Sequence, residues 1–66
     1  MEPVTIVGAG GIGCAVGYAL RAGGAAVRFV EANAAKIEAG RRDGFRVDDH
    51  PAFRAEFVHF NDWTPA

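Results

Sequence analysis

A single cysteine, Cys14, stands in this 66-residue chain, so no disulfide can brace it from within. Its two histidines lie apart from that cysteine and from each other, which leaves a structural zinc ion without a ligand set. Neither sign of charge dominates: seven basic residues face eight acidic ones, with no basic run of the kind that marks a nucleic-acid binder. The four arginines between Arg41 and Arg54 are interrupted by acids and read as a solvated surface. Long apolar runs are missing too. Gly8, Gly10, Gly11 and Gly13 break the apolar opening, and nothing approaches the roughly 18 charge-free apolar residues of a membrane span. Met1-Glu2-Pro3 is the wrong start for a secretory signal. These absences argue against nucleic-acid and membrane partners and leave a reducing, cytoplasmic setting as the expectation. The length falls below the ~70–80 residues at which one unaided core becomes comfortable. The chain is therefore expected to be a marginal domain or a piece of a larger one.

What is present follows a strict order. Val4-Thr5-Ile6-Val7 is a β-branched run of the kind that forms a strand buried on both faces of a parallel sheet. The glycine-rich segment Gly8–Gly13 follows, then a helical pattern with Ile12, Ala15, Val16, Ala19 and Leu20 on one stripe. Gly13 and Gly17, one turn apart, would let that helix lie close to the strand, and Gly23-Gly24 would end it. Val27-Arg28-Phe29-Val30, closed by Glu31, reads as a second strand. Asn33 is placed to cap a second helix over about Ala34–Asp43, with Gly44 as its stop. That helix has one large apolar residue, Ile37, and Glu38 can pair with Arg41 or Arg42 for only about 0.2–0.5 kcal/mol. Phe45-Arg46-Val47 and Ala52-Phe53-Arg54 read as a small hairpin around the turn Asp48-Asp49-His50-Pro51. Glu56–Phe60 is a third strand, and Asn61–Ala66 a loop. The fold class is α/β: the N-terminal half of a Rossmann-type doubly wound parallel sheet, β-α-β-α-hairpin-β.

The chemistry concentrates at Gly8-Ala9-Gly10-Gly11-Ile12-Gly13. A lone G-x-G-x-x-G is weak evidence, but this one leaves a strand, opens a helix, and is followed 18 residues after Gly13 by an acid closing the next strand. Gly8 permits the tight turn, Gly10 lets backbone approach a pyrophosphate, and Gly13 permits close helix–strand packing. Free N–H groups near Gly11 and Ile12 would meet the phosphates at the helix N-terminus. Glu31 would accept from the adenosine ribose hydroxyls. It would also repel the 2′-phosphate of NADP, and the next positions, Ala32 and Asn33, supply no cation for that phosphate. These residues favour NADH. The bland alternative sends Glu31 to solvent and the phosphate to Arg41 or Arg42. Cys14, in the first helical turn, reads as a buried filler, although a helix dipole can lower a thiol pKa. His50, His59 and the Asp48-Asp49 pair carry no recognisable catalytic or metal pattern. Phe53, Phe57, Phe60 and Trp63 read as core or covering loop.

The opening VTIVGAGGIGCAVGYALRAGGAAVRFVEAN, followed by KIEAGRRDGFRVDD, resembles the N-terminal part of ketopantoate reductases (2-dehydropantoate 2-reductases) from about Val4 to Phe60. The more specific portion is the R-x-D-G-F-x-V segment with its hairpin and strand, Arg41 to Phe60. The resemblance implies an NADPH-dependent reduction of the 2-keto acid ketopantoate to pantoate, in pantothenate biosynthesis, with Gly8, Gly10 and Gly13 in the cofactor turn. This chain departs where the family usually offers NADPH a basic residue, since Glu31-Ala32-Asn33 stands there. The family's general-acid lysine and its substrate-binding asparagine and serine have no counterparts here, so no catalytic residue is carried over. Residues 1–66 would form a partial cofactor domain, and the helical substrate domain would lie outside this chain.

Two other functions share the same fingerprint. One is an FAD-dependent oxidoreductase, although no second basic or Gly-rich element follows Glu31. The other is a non-catalytic nucleotide-sensing module. In a Rossmann half, strand order 3-2-1 leaves strand 1 open to a fourth strand, so Val4–Val7 would carry a bare apolar edge. The chain is therefore expected to be an N-terminal fragment whose partner is the rest of its own chain or a second copy. Expressed alone it should fold poorly or self-associate; a sharp, reversible, concentration-independent melt would contradict this.

Overall fold

A computed structural model describes residues 3–64; the readings made for Met1, Glu2, Pro65 and Ala66 lie outside them. The elements are β1 (Val4–Val7), α1 (Gly11–Ala22), β2 (Val27–Glu31), α2 (Ala34–Asp43) and β3 (Glu56–His59), followed by a 3-10 turn over Phe60–Asp62. The strands form one parallel sheet in the order β1-β2-β3, with β2 central. The expected α/β half-sheet is therefore present. In register, Ile6 lies beside Phe29 and Phe29 beside Phe57.

That row of side chains makes the core. Phe29 and Val30 are fully enclosed, and Val27, Ile37, Phe45 and Phe57 are buried with them. Phe29 stacks on Phe57 with centroids 5.0 Å apart and packs T-shaped with Phe45 at 4.8 Å. Such aromatic pairs contribute about 0.5–1.5 kcal/mol beyond their area burial. The single large apolar residue of α2, Ile37, is buried here, as its isolation in a polar helix suggested.

Both helices touch the sheet through glycine. A Cβ on Gly17 would sit 2.7 Å from Phe29 Cζ and 3.1 Å from Ile6 Cδ1. A Cβ on Gly40 would strike the ring of Phe57. The helices thus lie so low that a ring occupies the space of a side chain. The close approach expected from Gly13 and Gly17 is present, and it leaves the apolar stripe of α1 largely outside. Ile12 is 85% exposed and Val16 50%, Ala15 and Ala19 are exposed, and Leu20 is only half-buried. The face on the sheet is the glycine face, because close backbone approach wins over a row of larger side chains.

β1 is also less enclosed than its β-branched sequence implies. Val4 is 41% and Val7 61% exposed, because among the described residues β1 is an edge strand that pairs with β2 alone. The bare edge expected for this strand is there.

α2 ends as its sequence indicates. The Asn33 side chain accepts from Lys36 N–H, and Gly44 leaves the helix with φ 76°. Arg54 closes the C-terminal carbonyls by donating from Nη1 to Arg41 O and Arg42 O. The expected Glu38 pairing is replaced: Arg42 pairs with Asp43, and Arg41 donates from Nε and Nη2 to Phe57 O. The expected hairpin reduces to one antiparallel bridge, Phe45 to Phe53, with both N–H···O distances 2.9 Å. Packing on α1 holds the rest of that excursion. Tyr18 donates to Pro51 O at 2.7 Å, and its ring meets Phe53 at 4.8 Å. The third strand is one residue shorter than expected, since Phe60 begins the 3-10 turn.

Gly17→Val should lower folding stability by about 1–3 kcal/mol, the usual cost of overpacking. The midpoint of a denaturant titration of the intact protein checks this; an unchanged midpoint contradicts the close approach of α1.

Candidate functional site

The turn from β1 into α1 owes its shape to three glycines in three different ways. Gly8 has φ 98°, a conformation L side chains rarely adopt, and its N–H donates to Val30 O at 2.7 Å. A Cβ on Gly13 would strike the carbonyl of Gly8, so this position permits the helix to start directly beneath the strand end. Gly10 differs from both. It is the N-cap of α1, with φ −79° and ψ −175°, ordinary extended backbone, and a Cβ there would meet nothing within 4 Å. The same space surrounds Gly11. The fold needs glycine at 8 and 13; at 10 and 11 the bare backbone leaves room beside a helix end.

That helix end is uncapped by any side chain, and its first turn holds no acid. The first intrahelical bond runs from Cys14 N–H to Gly10 O at 2.8 Å. Helix geometry leaves the N–H groups before it without an intrahelical partner. The positive end of the α1 dipole therefore lies at Gly10-Gly11-Ile12-Gly13. An open groove of ≈ 600 Å³ runs along this turn, lined by the glycines with Val7, Ile12 and Val16. The outward position of Ile12 and Val16 makes them walls of that groove.

On the other flank of the turn lies Glu31, the last residue of β2. Its Oε1 accepts from Ala9 N–H at 3.0 Å; its Oε2 accepts from Ala32 N–H and Asn33 N–H, both at 2.8 Å. The structure thus brings Glu31 to the glycine turn, 22 residues earlier in the chain than itself. It does not point freely to solvent. Arg41 and Arg42, the alternative phosphate partners, are engaged with Phe57 O and Asp43. Ala32 is exposed beside the carboxylate. These hydrogen bonds, first that of Ala9 and then that of Asn33, hold the Glu31 carboxyl below its ordinary pKa, and Lys36 adds to the effect. Lys36 lies beyond the two positions that directly follow Glu31 in sequence. Its position in the first turn of α2, three residues after the Asn33 cap, was the available signal.

The remaining candidates have structural environments. Cys14 is half-buried, its Sγ donates to Ala9 O at 3.3 Å, and burial raises its pKa, which is the filler behaviour expected of it. His59 stands opposite Glu31 in the strand register, and its Nδ1 accepts from Asn61 N–H. His50 lies against Tyr18, with ring centroids 5.7 Å apart. Asp48 takes φ 51° in its turn. Among the described residues no group of three or more His, Cys, Asp or Glu side chains converges as a metal site. Among them, too, no helix is long and apolar enough to cross a membrane.

The sign of the Glu31 shift sets a pH dependence. A lowered folded-state pKa means that its stabilising contacts are fully present above the unfolded-state value, about 4.3 for a glutamate. They are lost as pH falls through the lowered folded value. Side-chain carboxyl NMR of the intact protein should therefore place the Glu31 midpoint below that of a model glutamate, with the Ala9 amide shift tracking it. A midpoint at or above the model value contradicts the arrangement.

A family model described as Ketopantoate reductase PanE/ApbA matches residues 4–63. No curated protein and no solved structure matches the chain. The matched span covers every strand and helix described above, including the segment Arg41–Val47 that links α2 to the Phe45–Phe53 bridge. With this half-sheet, glycine turn and segment, the chain belongs to the ketopantoate reductase family.

Proposed function

We propose that this chain is the cofactor-binding opening of an NADH-preferring reductase that acts on a 2-keto acid. One observation carries the reading: the bare turn at the head of α1 and the acid at the tip of β2 lie in direct contact, Ala9 N–H to Glu31 Oε1. A dinucleotide needs both at once, amide donors for its diphosphate and an acceptor for its ribose. The open space at Gly10 and Gly11 fits a group that must approach the backbone closely. Bound there, the nicotinamide cofactor supplies the hydride for reduction.

The chain's own residues divide the work of binding. Gly10, Gly11, Ile12 and Gly13 present N–H groups and the helix dipole to the diphosphate. Gly8 and Ala9 shape the turn. Glu31 accepts from ribose, with Ala32 beside it. The family's name points to ketopantoate as the keto acid, hence to pantothenate biosynthesis, and the resemblance points to NADPH. Against NADPH stands the carboxylate at position 31, which repels a 2′-phosphate. No residue here is assigned to the reacting carbon or its proton; those groups are expected in a helical substrate domain elsewhere in the protein. The bare edge of β1 and the exposed Val7 support a covering element from the rest of the chain or from a second copy. The lone thiol suits a reducing cytoplasm.

Gly10→Ala separates ligand from fold. Stability should fall by no more than about 1 kcal/mol, since the added methyl meets open space and the cost is that of alanine in place of glycine at an N-cap. NADH affinity, by calorimetric titration of the intact protein, should fall by about tenfold or more. Unchanged affinity would remove Gly10 from the site. Tighter binding of NADPH than NADH would refute the role given to Glu31, and flavin absorbance in the purified protein would replace the whole reading with an FAD enzyme.

A further inference from the structure

A carboxylate offers about four lone-pair positions, two on each oxygen. In Glu31 the chain itself occupies three of them, with the N–H groups of Ala9, Ala32 and Asn33. Oε2 is filled by the turn that follows β2, and Oε1 is shared with the turn that follows β1. The network continues on either side. Asn33, whose N–H Glu31 holds, caps α2 through its own side chain, and Gly8, next to Ala9, is tied to Val30 O. One carboxylate thus joins the glycine turn, the tip of β2 and the start of α2.

We propose that Glu31 is a locked selectivity residue: three backbone amides pin its carboxylate beside the glycine turn, so it positions that turn and cannot rotate away from a 2′-phosphate. This rests on the dinucleotide reading given above and deepens it. A free carboxylate on an exposed side chain discriminates weakly, because it can turn into water and leave its place to a phosphate. Here turning away breaks three charge-assisted hydrogen bonds, each of a class stronger than a neutral one. The lock also limits what Glu31 gives the correct ligand. Only one position on Oε1 remains, enough for one ribose hydroxyl and not for a two-point grip. The preferred ligand is a dinucleotide with both adenosine ribose hydroxyls free. The Ala9 amide of the chain is already committed to Glu31, so the diphosphate is left to the amides from Gly10 onward.

Glu31→Asp provides the test, because it keeps the charge while shortening the side chain by one methylene, too short to span both turns. Amide hydrogen exchange in the intact, cofactor-free protein reads the lock. Ala9 should exchange about tenfold faster in E31D, while the amides of Phe29 and Phe57 in the central sheet stay protected and report an intact fold. Titrations with NADH and NADPH read the selectivity, and the preference for NADH should shrink several-fold in E31D although the carboxylate is retained. Glu31→Ala should accelerate Ala9 exchange as much, move the NADPH-to-NADH affinity ratio further, and weaken NADH itself through the loosened turn. Unaltered Ala9 exchange in both variants, or an E31D protein as selective as the unmodified one, overturns the lock alone. Tighter NADPH than NADH binding by the unmodified protein overturns the underlying reading as well.

Discussion

The low seat of α1 on the sheet is the constraint from which the rest of this structure follows. Gly17 lies against Phe29 where any side chain would collide, and one turn earlier Gly13 lies against the Gly8 carbonyl. Packing at that distance ties the helix N-terminus to the end of β1, and the tight exit through Gly8 becomes the only short path between them. It also turns Ile12 and Val16 outward, since the glycine face is the one that reaches the core. A helix seated a side chain's width higher would draw its uncapped N–H groups away from the strand ends.

The same principle is repeated in the second unit, where Gly40 sits over Phe57. Two glycines over two stacked rings let a chain of this length enclose Phe29 and Val30 completely. The Arg41–Val47 segment serves this packing. Arg41 ties the end of α2 to a β3 carbonyl, Asp43 holds Arg42, Gly44 turns the chain with φ 76°, and Phe45 packs T-shaped with Phe29. These residues shape the frame, and the chemistry of binding stays at the strand tips. Polar groups gather there because parallel strands all end on one side, where the β1 and β2 exits are neighbours.

Glu31 shows how a frame becomes a site. Its backbone belongs to β2, its oxygens belong to two turns, and the burial around it is slight. Backbone amides do what a counter-ion would do elsewhere: they hold the charge in place and lower the carboxyl pKa, with Lys36 adding a smaller contribution from α2. Such a group is less a reaching side chain than a part of the loop's hydrogen-bonding scheme.

Local signals in the sequence determined the alternation of strands and helices, the Asn33 cap, the glycine stops and the glycine turn, because each depends on backbone preferences within a few residues. Periodicity marked the helix at α1 and a β-branched run marked the strand at β1, but neither decided which side chains are buried: Ile12 and Val16 face outward, and Val4 and Val7 are partly exposed. Burial there is decided by which face can come closest to a neighbour and by how many neighbours a strand has. The short hairpin was legible as a turn between Phe45 and Phe53, yet its anchoring on Tyr18 came from a helix far away in sequence. The presence of an acid at position 31 was plain from the start. That its carboxylate is held by Ala9 across 22 residues was settled only by the pairing of β1 with β2, since a hydrogen bond between two turns exists only once the sheet has set them side by side.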